Sequence, residues 1–299
     1  LGDVYKRQSL IQPDGYNPLV IKPDLVQSAS GETMTPGQYV LRYGRQEGMA
    51  RIAQGTVKAD ADFGEGYWTD HWSYGLDLIE DFLRIWPERE QELMQMELPW
   101  YRPQAQILPR EKRYSVSGGE LRQYHFLEET PGEKWCRDGA ENLVKATLLE
   151  KLVCMCAMKF AALDAWGCGI EMEGGRPGWY DALNGLPALF GSSVTEAMEL
   201  LRHLRFLKVS LRRYGGKVSL PGPHYMLLMR LKQSVEDIPE YTGNTVLVDF
   251  WNSSKSALEH CREEVYTQGA WDYADCQAEQ LAEICLLYTS PSPRDISGS

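Results

Sequence analysis

Apolar side chains recur at helical spacing through most of this chain. Leu76, Ile79, Leu83 and Trp86 lie three or four residues apart and Pro87 stops the pattern, which predicts a helix over 75–86. A shorter helix is expected over 88–96. The longest helical run is predicted from Arg137 to about Asp164. Its apolar stripe is Leu143, Ala146, Leu149, Val153, Cys156 and Phe160, with glutamates and lysines on the other face. Ser193, followed three positions later by Glu196, has the form of a capping box and opens a helix to about Tyr214. Further helices are expected over 225–235 and across most of 254–284.

Between these runs the pattern breaks up. Residues 9–55 carry Pro, Gly, Asn and Asp around short apolar runs at 19–21 and 39–41, and read as loop with an occasional short strand or helix. Residues 99–130 are irregular, with strands expected near 107–108, 114–116 and 124–126 and a turn at Gly118 and Gly119. A turn is expected at 219–223, and a strand or loop over 242–250. No unit of 20–50 residues repeats. Strand does not alternate with helix, so a parallel α/β sheet is excluded and the fold class is mainly all-α. What recurs is a long helix, then a loop rich in glycine, aromatics and acids, then another helix. Helices joined by long loops at one end suit a helical toroid better than a four-helix bundle with short links.

The densest loop spans 171–187. It holds Glu171, Glu173, Gly174, Gly175, Arg176, Pro177, Gly178, Trp179, Tyr180, Asp181, Asn184, Gly185 and Pro187. Proline fixes φ and glycine reaches conformations closed to other residues, so such a loop is preset in shape. Acids and aromatics on a preset loop between rigid helices are where catalytic groups tend to sit. A second loop of this kind, over 58–74, contains Tyr67, Trp68, Thr69, Asp70, His71 and Trp72 and feeds the helix over 75–86.

Composition narrows the class. The chain is 43% hydrophobic and 24% charged, without an apolar run of membrane-spanning length. A formal net charge of −11 argues against nucleic acid or an anionic membrane as the main partner. Nine Trp and sixteen Tyr are many for this length and fit a large core or platforms that stack on sugar rings. The cysteines show no zinc-type CxxC pairs and read as buried free thiols in a reducing cytoplasm, so no metal site is expected. The two ends stand apart. Residues 1–8 (LGDVYKRQ) and 285–295 (CLLYTSPSPRD) are what the two strands of one DNA segment encode, and both resemble translated transposon-type sequencing adaptor. Residues 1–8 and 285–299 are therefore expected to be artefact and tail, with 9–284 an internal piece of a longer catalytic domain.

WYDALNG at 179–185 resembles the Trp-x-Asp-x-Met/Leu-Asn-x segment of inverting glycoside phosphorylases of the cellobiose and cellodextrin type. The run 63–193 is similar to large bacterial proteins described as cellobiose phosphorylase-like, with YWTDHW (67–72) and GRPGWYDALNGLP (175–187) as its most specific pieces. Pro177 and Gly178 precede Trp179 where better-known members have Gly and Asp. The resemblance implies an (α/α)6 barrel, here incomplete, preceded in the whole protein by a β-sandwich domain. It makes Asp181 the general acid of phosphorolysis, releasing α-glucose 1-phosphate from a β-linked glucoside. Trp68, Asp70, His71, Trp72, Glu173, Arg176, Trp179, Tyr180 and Asn184 are the expected substrate-binding residues.

The chemistry agrees. Glycosidic cleavage needs a positioned acid to protonate the leaving oxygen, and Asp181 sits among Trp179, Tyr180, Ala182 and Leu183, a setting that favours a protonated carboxyl. An inverting phosphorylase needs no second carboxylate, because phosphate itself attacks, whereas an inverting hydrolase needs a base. Glu171, Glu173 or a carboxylate of 65–70 would be that base. A sugar-binding domain without catalysis is the third reading. The expected partners are an oligosaccharide and inorganic phosphate, with no further cofactor and a homodimer as a possible assembly.

Overall fold

In the computed structural model, the described residues are 2–18, 20–62, 71–123, 127–171, 192–238, 243–267 and 269–289. Among them are eleven α-helices: α1 (Gly2–Ser9), α2 (Pro36–Tyr43), α3 (Arg45–Gln54), α4 (His71–Ile85), α5 (Glu90–Met94), α6 (Arg110–Arg113), α7 (Leu148–Ala161), α8 (Val194–Tyr214), α9 (Gly222–Glu236), α10 (Asn244–Thr267) and α11 (Ala278–Thr289). The described strands are short and pair only antiparallel, in six two-stranded ladders and one three-stranded sheet. The protein is mostly helical, as the periodicity predicts. No described helix is long and apolar enough to cross a membrane.

The core is built around α7, which packs on α8, α9 and α10. Thr147 starts it with a complete capping box: its hydroxyl accepts from Glu150 N at 3.2 Å, and Glu150 Oε2 accepts from Thr147 N at 2.7 Å. This helix is shorter than the run predicted from Arg137. Asp138 captures the preceding stretch instead, its Oδ1 accepting from Ala140 N at 2.8 Å and Asn142 N at 2.9 Å. Such local side-chain bonds compete with helix. Lys145–Thr147 then pairs with Glu97–Pro99 as a strand, and Leu143 lies half-exposed outside the core.

The expected polar face of α7 is also absent. Lys151 is fully buried, and its ammonium donates to the carbonyls of Gln8 (3.0 Å), Ser9 (3.0 Å), Ile11 (3.2 Å) and Pro99 (2.7 Å). Burial pushes its pKa well below the lysine range, while the four acceptors favour the ammonium and offset part of that penalty. Three of those carbonyls lie at or just after the C-terminus of α1, where a cation complements the helix dipole. Residues 2–8, read as adaptor-derived, thus form with Ser9 a helix packed on α4 with Val4 in the core, and Cys285 is buried in α11.

Elsewhere, α4 begins earlier than expected but stops before Pro87, and α8 and α9 cover their expected spans. The helix expected over 88–96 is a 3-10 turn (Pro87–Arg89) followed by α5. One open local reading is resolved and two are corrected. The apolar run 39–41 belongs to α2, started by a second complete capping box between Thr35 and Gln38 with Pro36 at the first position. Residues 244–250 extend α10 rather than forming a strand, because lengthening an existing helix adds one hydrogen bond per residue fixed. The expected turn at 219–223 is instead the end of the strand Lys217–Pro221, paired with Tyr273–Gln277, and the start of α9. The Tyr114–Ser117 and Glu120–Gln123 hairpin turns on Gly118 and Gly119, both at positive φ (62° and 81°). The strand expected over 124–126 and Leu19 of the run 19–21 lie outside the described residues.

Candidate functional site

One two-residue ladder precedes residues 63–70, and another brackets residues 172–191. Before residues 63–70, Val20–Ile21 pairs with Ala61–Asp62. Lys134 reaches across from a distant segment and donates to Asp60 Oδ1 (2.6 Å), Ala61 O (2.9 Å) and Asp62 Oδ1 (3.1 Å), and Tyr101 Oη donates to Ala61 O at 2.8 Å. Lys22 completes the cluster by pairing with Asp62. Bonds from Lys22 and then Lys134 hold the Asp62 carboxyl below the usual carboxylate range. Burial pushes the Tyr101 phenol up to about 12.

Before and after residues 172–191, Ile170–Glu171 pairs with Ser192–Ser193. Here the organiser is an anion. Asp164 Oδ1 accepts from Trp166 N (3.0 Å) and Cys168 N (2.9 Å), and its Oδ2 from Gly169 N (3.0 Å) and Ser192 Oγ (2.5 Å). The two strands approach so closely at Gly169 that a β-carbon there would lie 2.8 Å from Ser192 Oγ and 2.9 Å from the Ser193 carbonyl carbon. Glu171 fixes this stem to α10: its Oε1 accepts from Trp251 Nε1 at 2.6 Å, and its Oε2 lies 2.8 Å from Lys255 Nζ. The Lys255 side chain is 3% exposed and that of Glu171 29%.

The helix starts that follow the two loops meet. Ser193 caps α8 by accepting from Glu196 N at 3.3 Å, as predicted, but the reciprocal half of the capping box is not made. Glu196 Oε1 instead accepts from Trp72 Nε1, on the first turn of α4, at 3.2 Å. The Trp72 ring lies 4.6 Å from His203 and 5.4 Å from Lys159 Nζ, centroid to centroid and atom to centroid. Burial holds His203 down at about 4, so the ring beside Trp72 is neutral near pH 7. Lys159 also sits 4.2 Å over the Tyr16 ring, with the Arg262 guanidinium 5.8 Å from the same ring. Asp14 accepts from Tyr16 N (3.2 Å) and Tyr266 Oη (3.1 Å), beside which Ile107 N donates to Tyr266 Oη at 3.2 Å.

Asp14, Lys159, Glu196, Lys255 and Arg262 are thus all buried around the C-terminal end of α7 and the facing side of α10. Burying a charge is costly unless it is paired and hydrogen-bonded, so such a concentration marks either a structural ion network or a site for charged chemistry. Its cations suit an anion and its carboxylates suit proton transfer.

Of the residues singled out from sequence, His71, Trp72 and Glu171 are described, and Glu171, one of the carboxylates considered as a hydrolase base, is engaged by Trp251 and Lys255. His71 is half-buried at the start of α4, with its ring 6.4 Å from that of Tyr74. Trp72 is 3% exposed and part of the interior. Trp68, Asp70, Glu173, Arg176, Trp179, Tyr180, Asp181 and Asn184 lie outside the described residues. Lys159, Lys255, Arg262 and Asp14 were not singled out, and Glu196 only as the second member of the Ser193 capping box. One signal existed: Lys159 is the only charged residue between Leu152 and Leu163, in an otherwise apolar helical run. Among the described residues no group of His, Cys, Asp and Glu is arranged to hold a metal ion. No protein-family model matches this chain, and no curated protein matches it.

Proposed function

We propose that this chain carries the acid-bearing part of the (α/α)6-barrel catalytic domain of an inverting glycoside phosphorylase acting on a β-glucoside in the cytoplasm. In this reading Asp181 donates its proton to the glycosidic oxygen as the bond from C1 to that oxygen breaks. Inorganic phosphate attacks C1 from the opposite face, and α-glucose 1-phosphate and the shortened sugar leave. The observation that carries the reading is the meeting of the helix starts behind YWTDHW and GRPGWYDALNGLP, through Trp72 and Glu196. The helices that follow the two sequence pieces sharing one family resemblance are thereby joined to each other. The nearby buried cations Lys159 and Arg262 favour phosphorolysis over hydrolysis, because a phosphate nucleophile must be held by positive charge.

The test is turnover of cello-oligosaccharides by the intact protein with and without inorganic phosphate, with ³¹P NMR of the product. Phosphate-dependent formation of an α-glucose 1-phosphate signal is expected, and Asp181→Asn should reduce it by roughly a thousandfold. Reducing-end release without phosphate would make the protein a hydrolase, and sugar binding without turnover a binding domain.

A further inference from the structure

The second half of the Ser193 capping box is spent elsewhere. In a full box the Glu196 side chain would return to Ser193 N, as Glu150 does to Thr147 N in α7 and Gln38 to Thr35 N in α2. Both of those boxes close. In α8 the carboxylate turns away from its own helix, is buried, and takes a hydrogen bond from a residue 124 positions earlier. The donor is held on its other sides by His203 and Lys159. The reciprocal half of the box at the helix end has therefore been exchanged for a bond between two segments.

We infer that Glu196 is a positioning residue, which holds the first turn of α4 and the first turn of α8 in fixed register so that the two motif-bearing segments act as one unit. Its chemical consequence rests on the phosphorylase reading: misplacement by about 1 Å of groups that must act together can cost on the order of a hundredfold in rate. The bond is made by Trp72 Nε1, which phenylalanine lacks, and accepted by a carboxylate oxygen that glutamine reproduces. Trp72→Phe and Glu196→Ala each remove the bond, whereas Glu196→Gln keeps an acceptor in place.

Two measurements on the intact protein test this. In the first, hydrogen exchange is followed by mass spectrometry in Trp72→Phe, Glu196→Ala and Glu196→Gln. Trp72→Phe should lower amide protection in 194–200 about tenfold, and Glu196→Ala should do the same in 72–76, while Glu196→Gln stays near the parent. Protection lost only around the substituted residue would overturn the inference. In the second, cello-oligosaccharide turnover is measured. Trp72→Phe and Glu196→Ala should each lower kcat about tenfold with KM within about twofold, the double variant should be no slower than either, and Glu196→Gln should recover most of the loss. Losses that multiply in the double variant would overturn it, as would a Glu196→Gln variant as slow as Glu196→Ala. If exchange crosses between the helices but the parent protein turns over no sugar under any condition, the register holds and the carbohydrate reading falls.

Discussion

The two stems have the same job and opposite chemistry. The ladder before residues 63–70 is pinned by a cation, Lys134, that comes from far along the chain and stands partly in solvent. The ladder around residues 172–191 is pinned by an anion, Asp164, from just before its first strand, and is then bolted to α10 by Glu171 and the buried Lys255. The contrast teaches where robustness lies. A half-exposed ammonium serving three distant acceptors is screened by water and salt, whereas the Asp164 carboxylate accepts three bonds from within five residues and needs only Ser192 from further along the chain. The second stem puts its long-range dependence in one deeply placed pair.

The largest expected effect comes from breaking that pair on the right side. Glu171→Gln leaves the buried Lys255 ammonium without the carboxylate at 2.8 Å and should cost about 3 kcal/mol. Lys255→Met leaves only the more exposed Glu171 and should cost roughly half as much by the same principle. Urea unfolding of both variants checks the order, and a reversed order would mean the stem does not depend on the pair in this way.

Acid should separate the stems next. His203, behind the second stem, and His224 are both held down at about 4 by burial, against 6.5 when unfolded. The unfolded chain binds more protons between those values, so the stability they contribute is full above about 6.5 and is lost as pH falls toward 4. Each should contribute on the order of 2 kcal/mol to a fall in stability between pH 7 and 4.5, visible as a lower urea midpoint. Asp62, in the first stem, has its pKa depressed, so its contribution survives through that window and is lost only as pH drops below the carboxylate range. A midpoint that stays flat from pH 7 to 4.5 would contradict the assignment.

The smallest effect is on the first stem itself. Lys134→Met should cost no more than about 1 kcal/mol, because its partners are hydrated, and the cost should shrink further at ~1 M salt. Thermal melts at two ionic strengths decide it.

What the sequence made legible follows the same divide between local and distant causes. The spans of α8 and α9 and the end of α4 at Pro87 were readable because caps, prolines and periodicity are local signals. The Asp138 turn was equally local and was passed over, since the residues after it looked helical. The capping box of Thr35 and Gln38 was missed for the converse reason, in a stretch whose prolines and glycines read as loop. No local signal gives the burial of Lys151, whose four acceptors come from two separate segments. At the candidate site, the sequence pointed to the loops and to Ser193 as a cap. It gave no hint that Glu196 would leave its own helix for Trp72, because that choice depends on α4 and α8 packing side by side.

The thiols carry a practical consequence. Burial raises the pKa of Cys136, Cys154, Cys156, Cys261, Cys276 and Cys285, which keeps each of them protonated and out of reach of an electrophile. Cys168 alone among the cysteines is exposed, and its backbone amide is one of the four donors gathered by Asp164. A maleimide dye added to the folded protein would therefore mark one place, the Asp164 turn just before the ladder of Ile170–Glu171. Its fluorescence would report on that turn and ladder from close by, without an engineered handle.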